Sequence, residues 1–458
     1  MMKKAKQNAS EIIFWGVICI TVFAMAYILP YGVYRDYAYQ FAAAIQLSKG
    51  RALYSEVSTL AMPLSLDIVG IIFKIFGPSY RLYKFLGAIY ALAITYAVNG
   101  IGFIYGVKTP WRRLMAAFAA ALMIMHQFMP GYNELIILFS LLTVIALNKK
   151  QWFLTGILCG LAVCAKQNLG AELCVCIGFY MLFHERKNIL KIICGAMIPL
   201  IMAAIRLYPV RTAAYDLMIA GPSENFGQNA AYSSVGIFGL LAAIALFEME
   251  FIAVWKEHKQ AYHELYLFSI VGMGMASPIA DDNHIRMLTI GLIMLCCINF
   301  DHKYPVSKQT IYALMIIPVL LTARRMIYFE KLRQMYGTTQ AQYLQGETVP
   351  LSDYDDVEQY LQNEKVKGTA VHLISGDGEI YSIPCDIYDA LWTCPLHGNV
   401  GANEIEKWKS AIDSYPVGTL MLVSNKHEIW QFPTEIAEYA KQSGTYVGQI
   451  GRFSIYRK

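Results

Sequence analysis

Two carboxylates follow the first hydrophobic run of the chain, Asp36 directly after it and Glu56 further along the same polar stretch. A carboxylate at the edge of a membrane can act as a general base that removes the proton of an acceptor hydroxyl. Ionisable groups at the bilayer are costly, so an acid in this place indicates function. The alternative is a solvated pair of acids that only orients the neighbouring helices.

The stretch after Asp36 has the pattern of an amphipathic helix that lies in the membrane interface. Its apolar side would carry Phe41, Ala44, Ile45 and Leu47. Its polar side would carry Gln40, Gln46 and Lys49. We therefore expect a surface helix between the first hydrophobic run and the next.

A cation ends a later apolar run, in the sequence Lys166-Gln167-Asn168. An ammonium group binds phosphate well as a point charge, so Lys166 is a candidate ligand for a lipid phosphate. The alternative is that Lys166 snorkels to the lipid headgroups with no specific partner.

The polar stretch 281–286 contains two adjacent acids, a histidine and a cation, among them Asp282, His284 and Arg286. Carboxylates and imidazole are adequate ligands for a divalent metal ion. The same residues could instead clamp a phosphate or a sugar, or form a polar hairpin between two membrane spans. The sequence leaves these three alternatives open, and it requires no cofactor.

His126 and Glu134 flank the turn Met129-Pro130-Gly131 between two short hydrophobic runs. Both could cap a membrane hairpin. Glu134 is the better functional candidate because it begins the next run.

The composition is that of a membrane protein with many spans. The 458 residues are 56% hydrophobic and 16% charged, with a mean hydropathy of +0.40, whereas soluble proteins have about 25% charged residues. A net charge of +5 is too small to suggest nucleic-acid binding. Hydrophobic runs long enough to cross a bilayer predict about 11 spans. They lie at 12–29, 82–106, 114–129, 133–148, 152–167, 169–184, 189–207, 233–255, 264–280, 286–300 and 309–329.

The distribution of basic residues predicts the orientation of the chain. The run 61–76 is short and interrupted by Pro63, Asp67 and Lys74, so we take it as a helix that does not span. The basic loops between the later runs then fall on the side of the amino terminus, which the positive-inside rule places in the cytoplasm. Asp36, Lys166 and the stretch 281–286 then face the outside, as does the carboxy-terminal domain.

The composition changes near residue 330, which predicts a small extracytoplasmic α/β domain from 330 to 458. Residues 365–374 and 418–423 have the pattern of buried strands, 435–442 that of a short helix, and 446–456 that of a terminal strand or hairpin. Cys385 and Cys394 lie in a loop of this domain. They would be either a disulfide or two free thiols.

The order of residues in the first outer loop, 30–81, resembles the GT-C superfamily of integral membrane glycosyltransferases. Protein O-mannosyltransferases and the bacterial lipid A aminoarabinose transferase belong to it. The residues that carry the resemblance are, in order, Asp36, Gly50, Tyr54, Glu56, Met62-Pro63 and Phe76-Gly77. Tyr37 stands where many members have a second acid. The segment ending in Lys166-Gln167-Asn168 and the outer loop with Asp282 and His284 are similar to features of bacterial members.

This resemblance implies the fold. The chain would be a polytopic α-helical membrane protein of GT-C type with about 11 transmembrane helices over residues 1–329. Amphipathic helices would fill the first outer loop, and the small α/β domain would follow. The protein would be a multi-pass protein of the plasma membrane, with its amino terminus in the cytoplasm.

The resemblance also implies an activity. A monosaccharide would pass, with inversion, from a polyprenyl-phosphate donor to a glycan, glycolipid or protein of the cell envelope. Asp36 would be the general base, with Glu56 as second acid. The departing phosphate carries growing negative charge, and a positioned cation would stabilise it. Lys166 and Arg286 are candidates for this cation, and Arg35 is a weaker one. Residues expected to contact substrate are Tyr54, Glu134, Gln167, Asp282 and His284.

Two other functions fit the same composition. A transporter or flippase of a lipid-linked saccharide also needs a polar cavity within the membrane, but its polar groups should lie near mid-membrane and on both sides. A non-catalytic assembly factor would use the outer domain to recruit partners.

Overall fold

The computed structural model describes residues 2–28, 35–125, 130–224, 327, 339–341, 347–349, 352–375, 380–381, 400–425 and 434–458. Apart from residue 327, the predicted spans between 233 and 329 lie outside these residues. So do the stretch 281–286, His126 and the two cysteines of the carboxy-terminal loop. The boundary near residue 330 also lies outside them and stays a prediction.

The described part of the chain up to residue 224 is helical. Its α-helices are α1 (Met2–Ile28), α2 (Arg35–Ser48), α3 (Pro63–Phe76), α4 (Tyr80–Ile104), α5 (Thr109–Met125), α6 (Tyr132–Asn148), α7 (Trp152–Ala165), α8 (Gln167–His184), α9 (Ile189–Leu207), α10 (Arg211–Tyr215) and α11 (Gly221–Glu224). Short 3-10 turns at Arg186–Asn188 and Tyr208–Val210 precede and follow α9, and a π-helical turn, Asp216–Ala220, joins α10 to α11.

The helices coincide with the hydrophobic runs wherever the structure describes them. Three described helical stretches are long and apolar enough to cross a membrane, judged by length and composition: Ala9–Ile28, Tyr80–Ile104 and Arg186–Glu224. Tyr132–Asn148 and Trp152–Ala165 are shorter apolar helices. The predicted count of about 11 spans stays a prediction, because part of the chain is not described.

One apolar core contains side chains from α1, α4, α5, α6, α7 and α8. Fully buried side chains such as Ile94, Ile101, Met115, Ile136 and Ile177 form it. Apolar side chains on the outside of the bundle are exposed, which is the distribution expected where lipid replaces water. Successive helices of the bundle run in opposite directions. The start of α6, the break between α7 and α8, and the end of α9 therefore lie at the same end of the bundle.

The first loop folds as two helices, and the prediction for α2 is corrected in one respect. Phe41 and Ala44 are buried as expected, but Gln40 and Gln46, which were assigned to the polar side, are buried as well. Helix α2 packs closely against α3, where a Cβ atom added to Gly70 would lie 3.1 Å from Cβ of Leu47. Helix α2 is therefore enclosed by protein on more than one side.

The carboxy-terminal residues form a four-stranded sheet with the strand order β3-β4-β6-β5. Its strands are β3 (Val371–Ile374), β4 (Leu420–Ser424), β5 (Thr445–Ile450) and β6 (Phe453–Arg457). Strands β3 and β4 are parallel, whereas β6 is antiparallel to both β4 and β5. A separate antiparallel pair, β1 (Thr339–Ala341) and β2 (Glu347–Val349), precedes the sheet.

Among the described residues, the helices that accompany the sheet are α12 (Tyr354–Val366), α13 (Glu404–Ser414) and α14 (Thr434–Gln442). Helix α14 and the hairpin β5–β6 lie where the sequence predicts them, but α12 and α13 were missed. The strand predicted at 365–374 starts only at Val371, because Lys365 and Val366 end α12. Gly368, with φ +73°, is the left-handed residue that typically follows a helix.

Candidate functional site at one end of the helix bundle

Lys166 occupies a one-residue break between two helices. Helix α7 ends at Ala165, α8 begins at Gln167, and Lys166 between them has an extended backbone with φ −148° and ψ 109°. Its ammonium Nζ donates a hydrogen bond of 2.8 Å to Oδ1 of Asn133 and lies 5.0 Å from the centroid of the Tyr132 ring. The cation is thus held by an amide oxygen and an aromatic face at the end of the bundle.

The start of α6 supplies the partners of Lys166. Asn133 and Glu134 are fully buried in the first turn of this helix, which follows Gly131. The positive end of the helix dipole favours a carboxylate at this position. The Nδ2 group of Asn133 is buried and has no hydrogen-bond partner within the described part of the chain. Buried amides normally make such bonds, so this donor is available to a bound group.

The first loop reaches the same place from the other side. The side-chain amide Nε2 of Gln167 donates to the carbonyl of Leu60 at 3.3 Å. The hydroxyl of Tyr39, on α2, donates to the carbonyl of Ser58 at 2.9 Å. Residues 58–60 are therefore held between α2 and the start of α8. This connection brings the predicted residue Gln167 next to the loop that contains the predicted acids.

Asp36 and Arg35 begin α2, and their side chains lie outside the described residues. The backbone of Asp36 lies one helical turn before Tyr39. Residues three apart on a helix have Cβ atoms about 5–6 Å from each other. The helix thus places the backbone of Asp36 close to the Tyr39 position, which is tied to residue 58 of the loop.

Tyr54 has an unusual backbone conformation and a buried hydroxyl. Its φ is +70°, in the left-handed region, where a side chain is strained. The hydroxyl donates to the carbonyl of Ala61 at 2.7 Å, and the amide donates to the carbonyl of Val57 at 2.8 Å. Burial raises the pKa of Tyr54 well above its usual range, so the phenol stays protonated and remains a donor. We call residues 52–57 the Tyr54 turn.

Glu56 belongs to the Tyr54 turn, but its described contact is local. The carboxylate is exposed and accepts a hydrogen bond of 2.6 Å from the amide of Ala52. A carboxylate that caps its own turn stabilises local structure. The role of Glu56 as second acid stays a prediction.

The structure adds charged residues that the sequence did not predict as part of a site. Arg206, at the end of α9, lies 3.4 Å from Asp67 on α3, measured from Nη2 to Oδ1. Lys84 on α4 is almost fully buried, with its Nζ 5.4 Å from the centroid of the Tyr80 ring. Each of these residues is a charge within or next to an apolar run of the sequence. Because a charge near lipid is costly, that position could have identified them as candidates.

The remaining predicted site residues, Asp282, His284 and Arg286, lie outside the described residues and stay predictions. The described residues contain no group of three or more His, Cys, Asp or Glu side chains placed to hold a metal ion. The arrangement that is described can bind an anion: it has a positioned ammonium group, a buried amide donor, and the starts of two helices, α6 and α8, whose dipoles favour negative charge.

No protein-family model matches the sequence, and no curated protein gives a significant match. Two crystal structures of ArnT from Cupriavidus metallidurans are similar along 98% of both chains. The one bound to undecaprenyl phosphate has 11% identity and a TM-score of 0.46. The one in the apo state has 10% identity and a TM-score of 0.43. ArnT is a lipid A aminoarabinose transferase of GT-C type, the superfamily that the sequence resembles.

Proposed function

We propose that this protein is a membrane glycosyltransferase that transfers a monosaccharide from a polyprenyl-phosphate donor to an acceptor of the cell envelope. The observation that carries the proposal is the Lys166 site. A cation held by Asn133 at 2.8 Å lies beside the loop that contains the Tyr54 turn. A positioned cation stabilises a phosphate leaving group, and the order of residues in the first loop resembles that of the GT-C superfamily.

The reaction is a single displacement at the anomeric carbon. Asp36 takes the proton of the acceptor hydroxyl, and the hydroxyl oxygen forms the new glycosidic bond. The bond between the anomeric carbon and the phosphate oxygen breaks with its electron pair, so polyprenyl phosphate departs. Attack from the opposite face inverts the anomeric centre. The proton stays on the carboxylate until water removes it.

Lys166 stabilises the departing phosphate. Negative charge grows on the leaving oxygen, and a cation that is already in position lowers this barrier. The contacts with Asn133 and Tyr132 hold the ammonium group before substrate arrives, so little reorganisation is needed. Gln167 links the same helix start to Leu60 and thereby to the acceptor side of the site. Arg286 and Arg35 are further candidate cations.

The remaining site residues complete the proposal. Tyr54, Glu134, Asp282 and His284 contact substrate. A divalent metal at 281–286 is an additional option. The protein is a multi-pass protein of the plasma membrane, its reaction takes place on the extracytoplasmic face, and the lipid tail of the donor lies between helices and bilayer. The carboxy-terminal domain helps to bind the acceptor.

The test is turnover of a panel of polyprenyl-phosphate sugars by the full-length protein in lipid. We expect the wild type to release polyprenyl phosphate and Lys166→Met to do so about 10²- to 10³-fold more slowly, the usual loss for one stabilising donor. Lys191→Met is the matched control, because Lys191 also donates to an asparagine, Asn188, at 3.0 Å, but at the opposite end of the bundle. It should retain wild-type turnover.

Two results would overturn the proposal. Equal turnover by Lys166→Met and the wild type would remove Lys166 from the reaction. Movement of labelled lipid-linked sugar across vesicles, with no new glycosidic bond from any donor and acceptor, would establish the transporter alternative instead.

A further inference from the structure

The chain after α9 lies between one part of the first loop, residues 53–57, and the start of α13. Helix α9 continues through the turn Tyr208–Val210 into α10, then through the π-helical turn Asp216–Ala220 into α11. Single π-turns are rare and occur frequently at functional sites. We call residues 207–224 the linker layer.

One side of the linker layer packs on the Tyr54 turn. Ala214 and Leu217 are buried in one apolar cluster with Leu53, Tyr54 and Val57. Leu66 of α3 belongs to the same cluster. The position of the linker layer therefore determines how much room the Tyr54 turn has.

The other side of the linker layer presents two carboxylates to the start of α13. Asp216 accepts hydrogen bonds from the amide of Ala402 at 3.1 Å and from Nζ of Lys407 at 2.5 Å. Glu224 accepts from the amide of Asn403 at 2.8 Å. Amides at the start of a helix bind carboxylates, and the helix dipole adds to the attraction.

The backbones also approach closely at this contact. A Cβ atom added to Gly221 would lie 2.6 Å from Cα of Gly401. A Cβ atom added to Gly401, whose φ is +83°, would overlap Oδ2 of Asp216. Lys407 in addition donates to the carbonyl of Val400, a buried residue of the carboxy-terminal core. Asp216 thus connects that core to the linker layer.

We propose that Asp216 is a positioning residue through which the carboxy-terminal α/β region sets the conformation of the Tyr54 turn. The inference rests on the proposed function in one respect: it takes the Tyr54 turn, which lies in the same loop as the proposed base Asp36, as part of the acceptor-binding site. When Lys407 and the start of α13 hold Asp216, Leu217 presses on the Tyr54 turn and the first loop has its binding geometry. When this contact is lost, the turn loosens and acceptor binds less well.

The test measures hydrogen exchange of the amides of residues 52–57 in the full-length protein in lipid. Those of Tyr54, Glu56 and Val57 are hydrogen-bonded within the turn, so their protection reports its stability. We expect exchange to become about three- to tenfold faster in Asp216→Asn and in Lys407→Met, the range for a partly exposed charged contact. The double variant should exceed neither single variant by much, because both changes break one contact. Lys407→Arg should restore most of the protection.

Lys409→Met is the matched control. Lys409 lies on the same helix and pairs with Glu435 at 2.7 Å and Glu406 at 3.4 Å, all within the carboxy-terminal region. It should leave exchange of the Tyr54 turn unchanged. Exchange in α7 serves as the reference for an intact bundle.

Steady-state kinetics distinguish a positioning role of Asp216 from a general loss of folded protein. For Asp216→Asn we expect the KM for acceptor to rise severalfold while kcat and the KM for donor stay within about twofold. A change in KM alone is the kinetic signature of lost binding that ground state and transition state share equally. Unchanged exchange of residues 52–57 in both single variants would overturn the inference, whatever the turnover. Absence of turnover with any donor would count against the proposed function. The hydrogen-exchange result alone would then decide the inference about Asp216.

Discussion

Tyr54 combines a strained backbone with a hydrogen bond that closes the first loop. The left-handed conformation costs a non-glycine residue about 1–2 kcal/mol, and the buried bond to the Ala61 carbonyl at 2.7 Å helps to offset it. Burial also keeps the phenol protonated by raising its pKa. The side chain is therefore a fixed donor over the whole physiological pH range.

Replacing Tyr54 by phenylalanine tests this description. We expect Tyr54→Phe to lower the free energy of unfolding by about 1 kcal/mol, the typical value of one hydrogen bond, measured by thermal unfolding in detergent. The stabilisation from the raised pKa is present below the ordinary tyrosine pKa of about 10 and is lost as the pH rises above it.

The activity profile of the variant provides the second readout. Because Tyr54 stays protonated, wild type and Tyr54→Phe should have pH profiles of the same shape below pH about 10. Tyr208→Phe is the control, since Tyr208 is exposed. A fall in wild-type activity with a midpoint near neutral pH, absent from Tyr54→Phe, would contradict a protonated phenol.

The sequence could predict Lys166 and Gln167 but not their partners. A single cation after an apolar run is visible in the sequence, because charge next to lipid is costly. That Asn133 holds Lys166, or that Arg206 meets Asp67, depends on the packing of α3, α6 and α9 and cannot be read from spacing along the chain. For Glu56 the sequence suggested catalysis, whereas the contact that the structure describes is a hydrogen bond to the amide of Ala52 in its own turn.

Helices α7 and α9 cross at glycines. A Cβ atom added to Gly156 would overlap the carbonyl oxygen of Ile192, and one added to Gly195 would overlap that of Phe153. Small residues let helices approach closely within a membrane, where packing rather than water exclusion drives association. This crossing fixes the end of α9 relative to Lys166.

Alanine at Gly156 should therefore disrupt the crossing. We expect Gly156→Ala to destabilise the protein by about 1–3 kcal/mol, the usual cost of overpacking, seen as a lower thermal midpoint in detergent. Gly178→Ala is the matched control, because Gly178 is also helical but no atom lies within 4 Å of its added Cβ. Equal thermal midpoints for the two variants would contradict the close crossing.

An ion pair joins α12 to the hairpin β5–β6. Arg452, whose side chain is almost fully buried, donates to Asp353 from Nη2 at 3.1 Å and from Nε at 3.1 Å. Burial alone would raise the pKa of Asp353, but the contacts with Arg452 outweigh it and lower the pKa. The carboxylate is therefore ionised at neutral pH and stabilises this part of the fold.

Asp353→Asn should destabilise the carboxy-terminal sheet by about 3 kcal/mol at pH 7, because it removes the anion that faces a buried cation. Hydrogen exchange of β4 in the full-length protein measures this. The difference from wild type should persist down to the ordinary aspartate pKa of about 3.9 and shrink only as the pH falls through the lowered value. Asp356→Asn, an exposed position on the same helix, is the control. A difference that vanishes above pH about 5 would contradict the lowered pKa.

Hydrophobic periodicity predicted most described helices because each must bury or expose an apolar face. It failed for α12 and α13, whose apolar residues are few and whose surfaces are charged. It also failed for Gln40 and Gln46, since the polarity of a side chain does not reveal that the tertiary fold will bury it. The hairpin β5–β6 was predictable from its alternation.

The positive-inside rule predicts the orientation of the chain in the membrane. Lys166, Asp67 and Arg206 lie at one end of the bundle, whereas Arg113 pairs with Glu11 at 3.2 Å at the other. A reporter fused after Lys458 should be active as a phosphatase outside the cytoplasm, and one fused after Lys149 should not. A cytoplasmic carboxy terminus would contradict the predicted topology and separate that domain from Asp36.

The assignment of Asp36 as the base is tested by the release of polyprenyl phosphate by the purified full-length protein, with wild type beside Asp36→Asn. We expect the wild type alone to turn over a polyprenyl-phosphate sugar in the presence of acceptor, and the variant to lose about 10²-fold or more, as for removal of a general base. Equal release by both proteins would contradict the assignment of Asp36 as the base.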